Sequence, residues 1–211
     1  MNEFIEVKAN AKSIWMRKLV HGIGINDADY QTQPRINGKK VKCQFYRKWT
    51  GMLERCYSTK LKAKYPTYIG VTVCEEWLTF SVFKAWMEKQ KWEDLELDKD
   101  IISHGSKHYS PETCCFVPRA LNNLLTNSAA ARGDCPQGVT IYNATGKYQA
   151  NCRYNGRLKY LGCFTTPEEA GLAYRTYKHA IVRKIASEQT NPRIMRGLVI
   201  HADLILRGIE L

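Results

Sequence analysis

The stretch that decides the fold of this chain runs from Gly138 to Ile185 and reads GVTIYNATGKYQANCRYNGRLKYLGCFTTPEEAGLAYRTYKHAIVRKI. Apolar and polar residues alternate in its first half, and this period of two predicts short strands with one packed face and one free face. Turn signals at 143–146 and at Asn155-Gly156 separate the strands. The sequence therefore predicts a meander of three strands. The residues expected on the packed face are Val139, Ile141, Tyr148, Ala150 and Cys152.

One amphipathic helix is predicted directly after the third strand. Thr166 can cap its first turn, Pro167 fits the first helical position, and Glu169 completes a capping box. Apolar residues then recur at helical spacing and are expected to cover the packed face of the sheet. These residues are Ala170, Ala173, Tyr174, Tyr177, Ile181 and Ile185. The other face of the sheet keeps polar, basic and aromatic side chains, a composition that favours a nucleic-acid-binding surface.

The same segment resembles the AP2 (ERF-type) DNA-binding domain over residues 138–187. The motifs that carry the resemblance are the GV start, GKYQA in the second strand, YLGCF in the third and TPEEAGLAY at the helix. The resemblance implies that the sheet lies in the major groove of double-stranded DNA and reads base edges. By position it implies contacts from Thr140, Tyr142, Lys147, Asn151, Arg153 and Tyr160, with Arg157 and Lys159 near phosphates. Plant members place more arginines on this face, and Thr140 and Tyr142 depart from that pattern.

The overall charge agrees with a polyanionic partner. The chain of 211 residues carries a formal net charge of +12 and has a pI near 9.3, which predicts attraction to nucleic acid and salt-dependent binding. Nine basic residues and one acid, Glu54, fall between Gly38 and Lys64. That run is either a solubilising face or a second DNA contact.

A second pattern lies between Leu95 and Asn123. Residues 95–102 alternate like a strand, 104–110 are a polar turn, 113–117 predict a second strand, and Pro118 opens a helix. Strand, loop, strand and helix around clustered Asp, His and Asn are typical of a ββα-metal nuclease.

The residues of this segment resemble one half of the HNH nucleases. The run from Pro111-Glu112 through Phe116-Val117 matches the family in spacing, and Asn122 falls on the position of a metal ligand in the helix. Where those enzymes present an Asp-His or His-His pair, this chain has Asp98-Lys99-Asp100.

The resemblance implies a Mg²⁺ (or Mn²⁺) ion with Asp98, Asp100 and Asn122 as candidate ligands, in which Asp98 or Asp100 acts together with Asn122. The general base is open between His104 and His108, since a neutral imidazole near pH 7 suits that task.

From Gly22 to Ala186, the order of motifs resembles the HNH homing-endonuclease-type proteins of tailed bacteriophages. This implies a divalent-metal-dependent endonuclease that hydrolyses phosphodiester bonds in double-stranded DNA. The alternative is a catalytically decayed protein that only binds DNA or regulates.

The expected fold class is α+β, with an HNH-like ββα module and an AP2 domain. The predicted divisions are an N-terminal strand and hairpin extension, a nuclease module, a linker, the DNA-binding domain and a tail, at 1–44, 45–126, 127–137, 138–187 and 188–211. A hairpin is expected around Asn37-Gly38. Helical stripes in 45–57 and 78–87 place their aromatic residues in the core.

The cysteines and the hydropathy pattern limit the remaining possibilities. Eight cysteines occur without a CxxC pair, so structural zinc is not expected; Cys56, Cys74 and Cys114 could converge, but buried thiols are favoured. No stretch approaches the roughly eighteen apolar residues that a membrane span requires. We expect a cytoplasmic protein, in the host cell if phage-encoded, with no membrane partner. Its oligomeric state is open, with a monomer favoured.

Overall fold

The computed structural model describes residues 4–126 and 134–209, and these adopt an α+β fold. The helices are α1 (Ala11–Trp15), α2 (Gln44–Tyr57), α3 (Thr59–Lys64), α4 (Phe80–Glu88), α5 (Asp100–Ser103), α6 (Arg119–Leu125), α7 (Pro167–Ser187) and α8 (Pro192–Arg207). The strands are β1 (Arg35–Ile36), β2 (Lys39–Lys40), β3 (Thr72–Val73), β4 (Leu95–Asp98), β5 (His108–Tyr109), β6 (Cys115–Pro118), β7 (Val139–Tyr142), β8 (Lys147–Tyr154) and β9 (Arg157–Phe164). Short 3₁₀ helices occur at Pro66–Tyr68 and Glu75–Leu78.

The chain forms two compact units. The first takes in the residues up to 93 together with 106–114, and the second takes in 94–105 and the residues from 115 onward. The segment predicted as one nuclease module, 45–126, is therefore divided between the two units.

The first unit is built around an aromatic core. Trp49 and Phe80 are fully buried, and their rings lie 5.4 Å apart. The indole of Trp49 donates a hydrogen bond of 2.7 Å to the carbonyl oxygen of Trp77. Met52 and Leu53 are also fully buried, as the helical stripe predicted for α2. Because these rings fill the interior, they are core residues and not stacking platforms for bases.

Two small sheets complete the first unit. Strands β1 and β2 form the predicted hairpin, whose turn places Asn37 and Gly38 at positive φ. Strand β3 pairs in parallel with β5. The sequence predicts only a polar turn over residues 104–110. In the structure, His108–Tyr109 form strand β5, because these two residues pair in parallel with Thr72–Val73.

The second unit contains the predicted three-stranded antiparallel sheet, in the order β7-β8-β9, and the predicted helix α7. The capping box of α7 is present, because Thr166 Oγ1 accepts from Glu169 N and the Glu169 side chain accepts from the backbone of Thr166. Gly138, at φ +77°, precedes β7 where a Cβ would lie 2.0 Å from the Tyr174 ring. Helix α7 thus packs directly on the start of the sheet.

The strand pair β4–β6 and helix α6 belong to the same unit. β4 pairs antiparallel with β6 from Leu95–Pro118 to Asp98–Cys115. Val117 and Leu121 share one hydrophobic core with Ala150 of the three-stranded sheet. The sequence predicted two modules joined by a linker, but these elements are packed on a common core. Residues 127–133 of the predicted linker lie outside the described residues.

The C-terminal segment, predicted as a closing helix or strand, is helix α8. Its Asn191 side chain caps the first turn, and Leu198 is fully buried. At Gly197 a Cβ would lie 2.2 Å from the carbonyl oxygen of Ile101, so the absence of a side chain allows α8 to approach α5.

The structure differs from the sequence-based prediction at Ile141 and at the end of the first strand of the ββα segment. Ile141, expected on the packed face, is 54% exposed because β7 is an edge strand and only Val139 at its start is buried. The first strand of the ββα segment ends at Asp98 and not at Ile102. The Asp98 carboxylate accepts hydrogen bonds from the next backbone amides, and these turn the chain into α5.

None of the helices in the described part of the chain combines the length and the apolar character needed to cross a membrane.

Candidate nucleic-acid interface and catalytic residues

The free face of the β7–β9 sheet can be assigned from the strand register. Cross-strand partners lie on the same face of a sheet. Thr140 pairs with Gln149, Tyr142 pairs with Lys147, and Gln149 pairs with Cys163. Val139 pairs with Ala150, and both are buried beneath α7. Thr140, Tyr142 and their cross-strand partners therefore lie on the free face, which is turned away from the helix.

A β-bulge in β9 changes which side chains of that strand join the free face. Ala150 pairs with Gly162, but Asn151 pairs with Tyr160, so Leu161 is an extra residue in β9. The extra residue reverses the alternation. Tyr160 and Leu158 then lie on the free face, opposite Asn151 and Arg153.

The bulge also places Arg157 and Lys159 on the opposite face. Arg157 pairs with Tyr154, and Lys159 pairs with Cys152, which is buried under α7. Both basic side chains are exposed, since β9 is an edge strand. They lie at the rim on the helix side, and this separates them from the other six predicted contacts.

The free face has a distinct chemical character. Lys147 and Arg153 are exposed, as are the rings of Tyr142 and Tyr160, at 44% and 53%. The three strands contain four basic residues and no acidic residue. Half-buried amide side chains, which donate and accept hydrogen bonds, occupy the central strand between these groups. Such a face can attract phosphate, stack on bases and form hydrogen bonds with base edges.

The predicted DNA contacts did not include three residues of this face, which are Gln149, Leu158 and Cys163. The alternation around Gln149 could have identified it, because it lies between Lys147 and Asn151 on the same strand. Leu158 could not have been identified, because its face depends on the bulge.

The second group of predicted residues surrounds the end of β4. Asp98 is 8% exposed, and its Oδ1 accepts hydrogen bonds from the amides of Asp100 at 2.9 Å and Ile101 at 2.8 Å. Burial raises the pKa of the Asp98 carboxyl, and the two amide hydrogen bonds oppose that shift. Asp98 therefore has a structural role as the residue that ends the strand.

Asp100 lies in the first turn of α5 and is half-exposed. Its Oδ1 lies 2.5 Å from the Lys99 ammonium. Its backbone carbonyl accepts from His104 N at 2.7 Å and lies 3.0 Å from His201 Nε2. Since a carbonyl only accepts, the imidazole of His201 carries its proton on Nε2.

His201, on α8, was not predicted from the sequence. It is buried, and desolvation lowers its pKa. Its ring lies 5.3 Å from the ring of His104, which has a left-handed backbone conformation at φ 52°. Within residues 4–126 and 134–209, the buried Nε2 of His104 has no hydrogen-bond partner. The structure thus brings His104 and His201 together beside the backbone of Asp100.

The other two candidates differ in their surroundings. Asn122 is half-buried on α6 in the same unit, and its backbone carbonyl accepts from Thr126 N at 3.0 Å and from Thr126 Oγ1 at 2.9 Å. No hydrogen bond joins its side chain to Asp98 or Asp100 in the described part of the structure. His108 belongs to the first unit, where its Nδ1 lies 2.8 Å from Thr72 Oγ1.

As arranged, the predicted carboxylates do not fit a divalent ion. One oxygen of Asp98 already accepts two backbone hydrogen bonds, and the Lys99 ammonium lies against Asp100. A divalent cation bound to Asp100 would have to displace the Lys99 ammonium, because two positive charges so close to one carboxylate repel each other strongly. Among the residues described, no group of three or more His, Cys, Asp or Glu side chains is placed to hold a metal ion.

The cysteines considered for zinc are thiols with different exposure. Cys56 and Cys114 are buried, and Cys74 is half-buried. Burial raises the pKa of the Cys74 thiol to about 11, which keeps it protonated at neutral pH.

Comparison of the chain with protein-family models, with curated proteins and with solved structures finds no match.

Proposed function

We propose that this chain is a double-stranded DNA-binding protein that uses the free face of the β7–β9 sheet. The observation that carries the proposal is the composition of that face. Lys147 and Arg153 point outward beside the exposed rings of Tyr142 and Tyr160, on strands that contain no acidic residue. The resemblance of residues 138–187 to the AP2 domain supports the same face.

The side chains of the face have complementary tasks in this proposal. Lys147 and Arg153 neutralise phosphates or contact guanine, as such side chains do in other complexes. The amides of Gln149 and Asn151 are suited to adenine, which presents both a donor and an acceptor in the major groove. Four basic residues on the sheet leave only modest base specificity to the sheet itself, because two of them lie at the helix-side rim.

Binding of a fluorescent duplex, measured by anisotropy over a salt series, tests this proposal. Arg153→Ala should weaken binding roughly tenfold and lower the slope of log affinity against log salt by about 1. The matched control is Arg183→Ala, which removes the same charge from an exposed position on α7. Equal losses in the two variants would refute the assignment of the face.

A second candidate function is phosphodiester cleavage of homing-endonuclease type. One observation favours it: β4, β6 and α6 form a strand–strand–helix unit that carries Asp98 at a strand end and Asn122 on the helix. The neighbouring rings of half-buried His104 and buried His201 add imidazoles beside the backbone of Asp100. Since the carboxylates do not fit a divalent ion as arranged, binding without cleavage is the first proposal.

Incubation of supercoiled plasmid with Mg²⁺ or Mn²⁺ distinguishes the two candidates. Nicking that disappears in both Asp100→Ala and Asn122→Ala would establish the enzyme. The control is Asn123→Ala, an exposed neighbour on α6. Binding without nicking in either metal would leave the DNA-binding function alone.

A further inference from the structure

A cavity of about 250 Å³ lies within the second unit, between α7, α8 and the turn before β7. Leu125, Leu204 and Ile205 supply apolar walls. The cavity is slightly smaller than the roughly 300–1,000 Å³ that is typical of ligand pockets. It can hold a ligand of a small organic molecule's size.

Three nitrogen-rich side chains line the cavity, those of Arg175, Lys178 and His201. Lys178 is 2% exposed, and its Nζ donates to Gln137 Oε1 at 3.0 Å and lies 5.6 Å from the centre of the Tyr174 ring. A fully buried lysine is rare in proteins. These contacts hold the ammonium at the wall of the cavity.

Arg175 adds a second donor, one turn before Lys178 on α7. Its Nε is buried and has no hydrogen-bond partner in the described residues, an arrangement that is unfavourable unless another group satisfies it. A Cβ on Gly208 would lie 3.7 Å from that Nε, so the guanidinium lies close to the end of α8.

The third nitrogen group at the cavity is His201, which is 6% exposed. No acidic side chain is among the described residues that line the cavity. The lining therefore combines three basic side chains with apolar walls. This composition is complementary to a molecule with an anionic head and an apolar body.

We propose that this cavity binds a small organic anion, whose carboxylate or phosphate is held by Arg175 and Lys178. Its apolar body lies against Leu204 and Ile205. The site is distinct from the DNA-binding face, because α7 covers the opposite side of the sheet. Anion binding in the cavity therefore does not depend on whether the sheet binds DNA.

Isothermal titration and thermal shift with matched pairs of probes test this site. The charged probes are phenyl phosphate and hexanoate, the neutral ones are phenol and hexanol, and inorganic phosphate tests the head group alone. We expect at least one charged organic probe to bind and to raise the melting temperature. Its neutral partner should bind roughly tenfold more weakly or not at all, since a charged hydrogen bond is lost. Preference between phenyl phosphate and hexanoate identifies the head group.

Variants locate the binding. Arg175→Met should weaken binding of the charged probe roughly tenfold. Arg183→Met, on the exposed side of α7, should leave that binding unchanged. Arg153→Ala, on the sheet face, should also leave binding unchanged, and this separates the cavity from anion binding at the DNA-binding face. If Arg175→Met fails to fold, Ile205→Phe supplies a second variant that fills the cavity and should abolish binding. No binding of either charged organic probe, or equal binding by wild type and both cavity variants, would overturn the proposal.

Discussion

Removal of the Asp98 carboxylate provides a quantitative test of its role at the end of β4. The Asp98→Ala substitution deletes the acceptor of two backbone hydrogen bonds, from Asp100 N at 2.9 Å and Ile101 N at 2.8 Å. The Asp98→Asn substitution keeps an oxygen acceptor at the same position and removes only the charge. The two variants therefore separate hydrogen bonding from ionisation.

The expected effect of Asp98→Ala follows from those two bonds. Hydrogen bonds to a charged group contribute about 1.5–3 kcal/mol each, and loss of a capping acceptor costs about 0.5–2 kcal/mol overall. Burial opposes the ionised form and raises the Asp98 pKa, which reduces the net gain. We expect a loss of about 2 kcal/mol in the free energy of unfolding, or a melting temperature lower by about 4–8 °C.

The Asp98→Asn variant should remain within about 1 kcal/mol of wild type, because the acceptor is retained. A raised pKa in the folded state stabilises wild type at low pH, and this stabilisation is lost as the pH rises through the folded pKa. The free energy of unfolding of the asparagine variant should therefore increase relative to that of wild type as the pH rises. Urea unfolding monitored by circular dichroism measures both effects. Equal destabilisation by alanine and asparagine would refute the capping role.

Three further predictions concern the second unit. Gly138→Ala should destabilise by about 3 kcal/mol, because φ is +77° and a Cβ would lie 2.0 Å from the Tyr174 ring; thermal unfolding measures this. Thr166→Ala should cost about 1 kcal/mol through loss of the capping box, and near-identical melting would contradict it. Burial lowers the pKa of His201, so the unfolded chain binds the proton more tightly and stability should fall as pH decreases through about 6.5. His201→Gln should flatten that part of the melting profile, and an unchanged slope would be the contrary result.

Local patterns were enough to predict most of the elements. The period of two in 147–153 and the helical spacing after Thr166 both correspond to observed structure. The turn chemistry of Asn37-Gly38 also predicted the observed hairpin. These features depend on neighbouring residues and on simple periodicity, which is why a single sequence reveals them.

Other features depend on contacts between distant residues. The extra residue Leu161 decides which side chains of β9 are free, but an unpaired strand has no periodic signal for a bulge. His201 joins His104 only because α8 packs against α5. Lys178, which the helical pattern gives no reason to bury, is enclosed by the same packing.

At the candidate sites, too, local patterns predict some features, whereas others depend on contacts between distant residues. Six of the eight predicted DNA contacts share the free face of the sheet, whereas Arg157 and Lys159 lie on the other side. The resemblance to HNH nucleases implied that Asp98 or Asp100 acts together with Asn122. It could not predict that backbone amides and Lys99 would occupy those carboxylates.

The most direct test of the DNA-binding proposal is a nuclear magnetic resonance titration of the isotope-labelled chain with duplex DNA at low salt. We expect the largest amide shift changes at Thr140, Gln149, Asn151 and Tyr160, whose side chains share the free face. The amides of α8 should change little. Shift changes confined to α7 and α8, or none at all, would contradict DNA binding by the free face of the sheet.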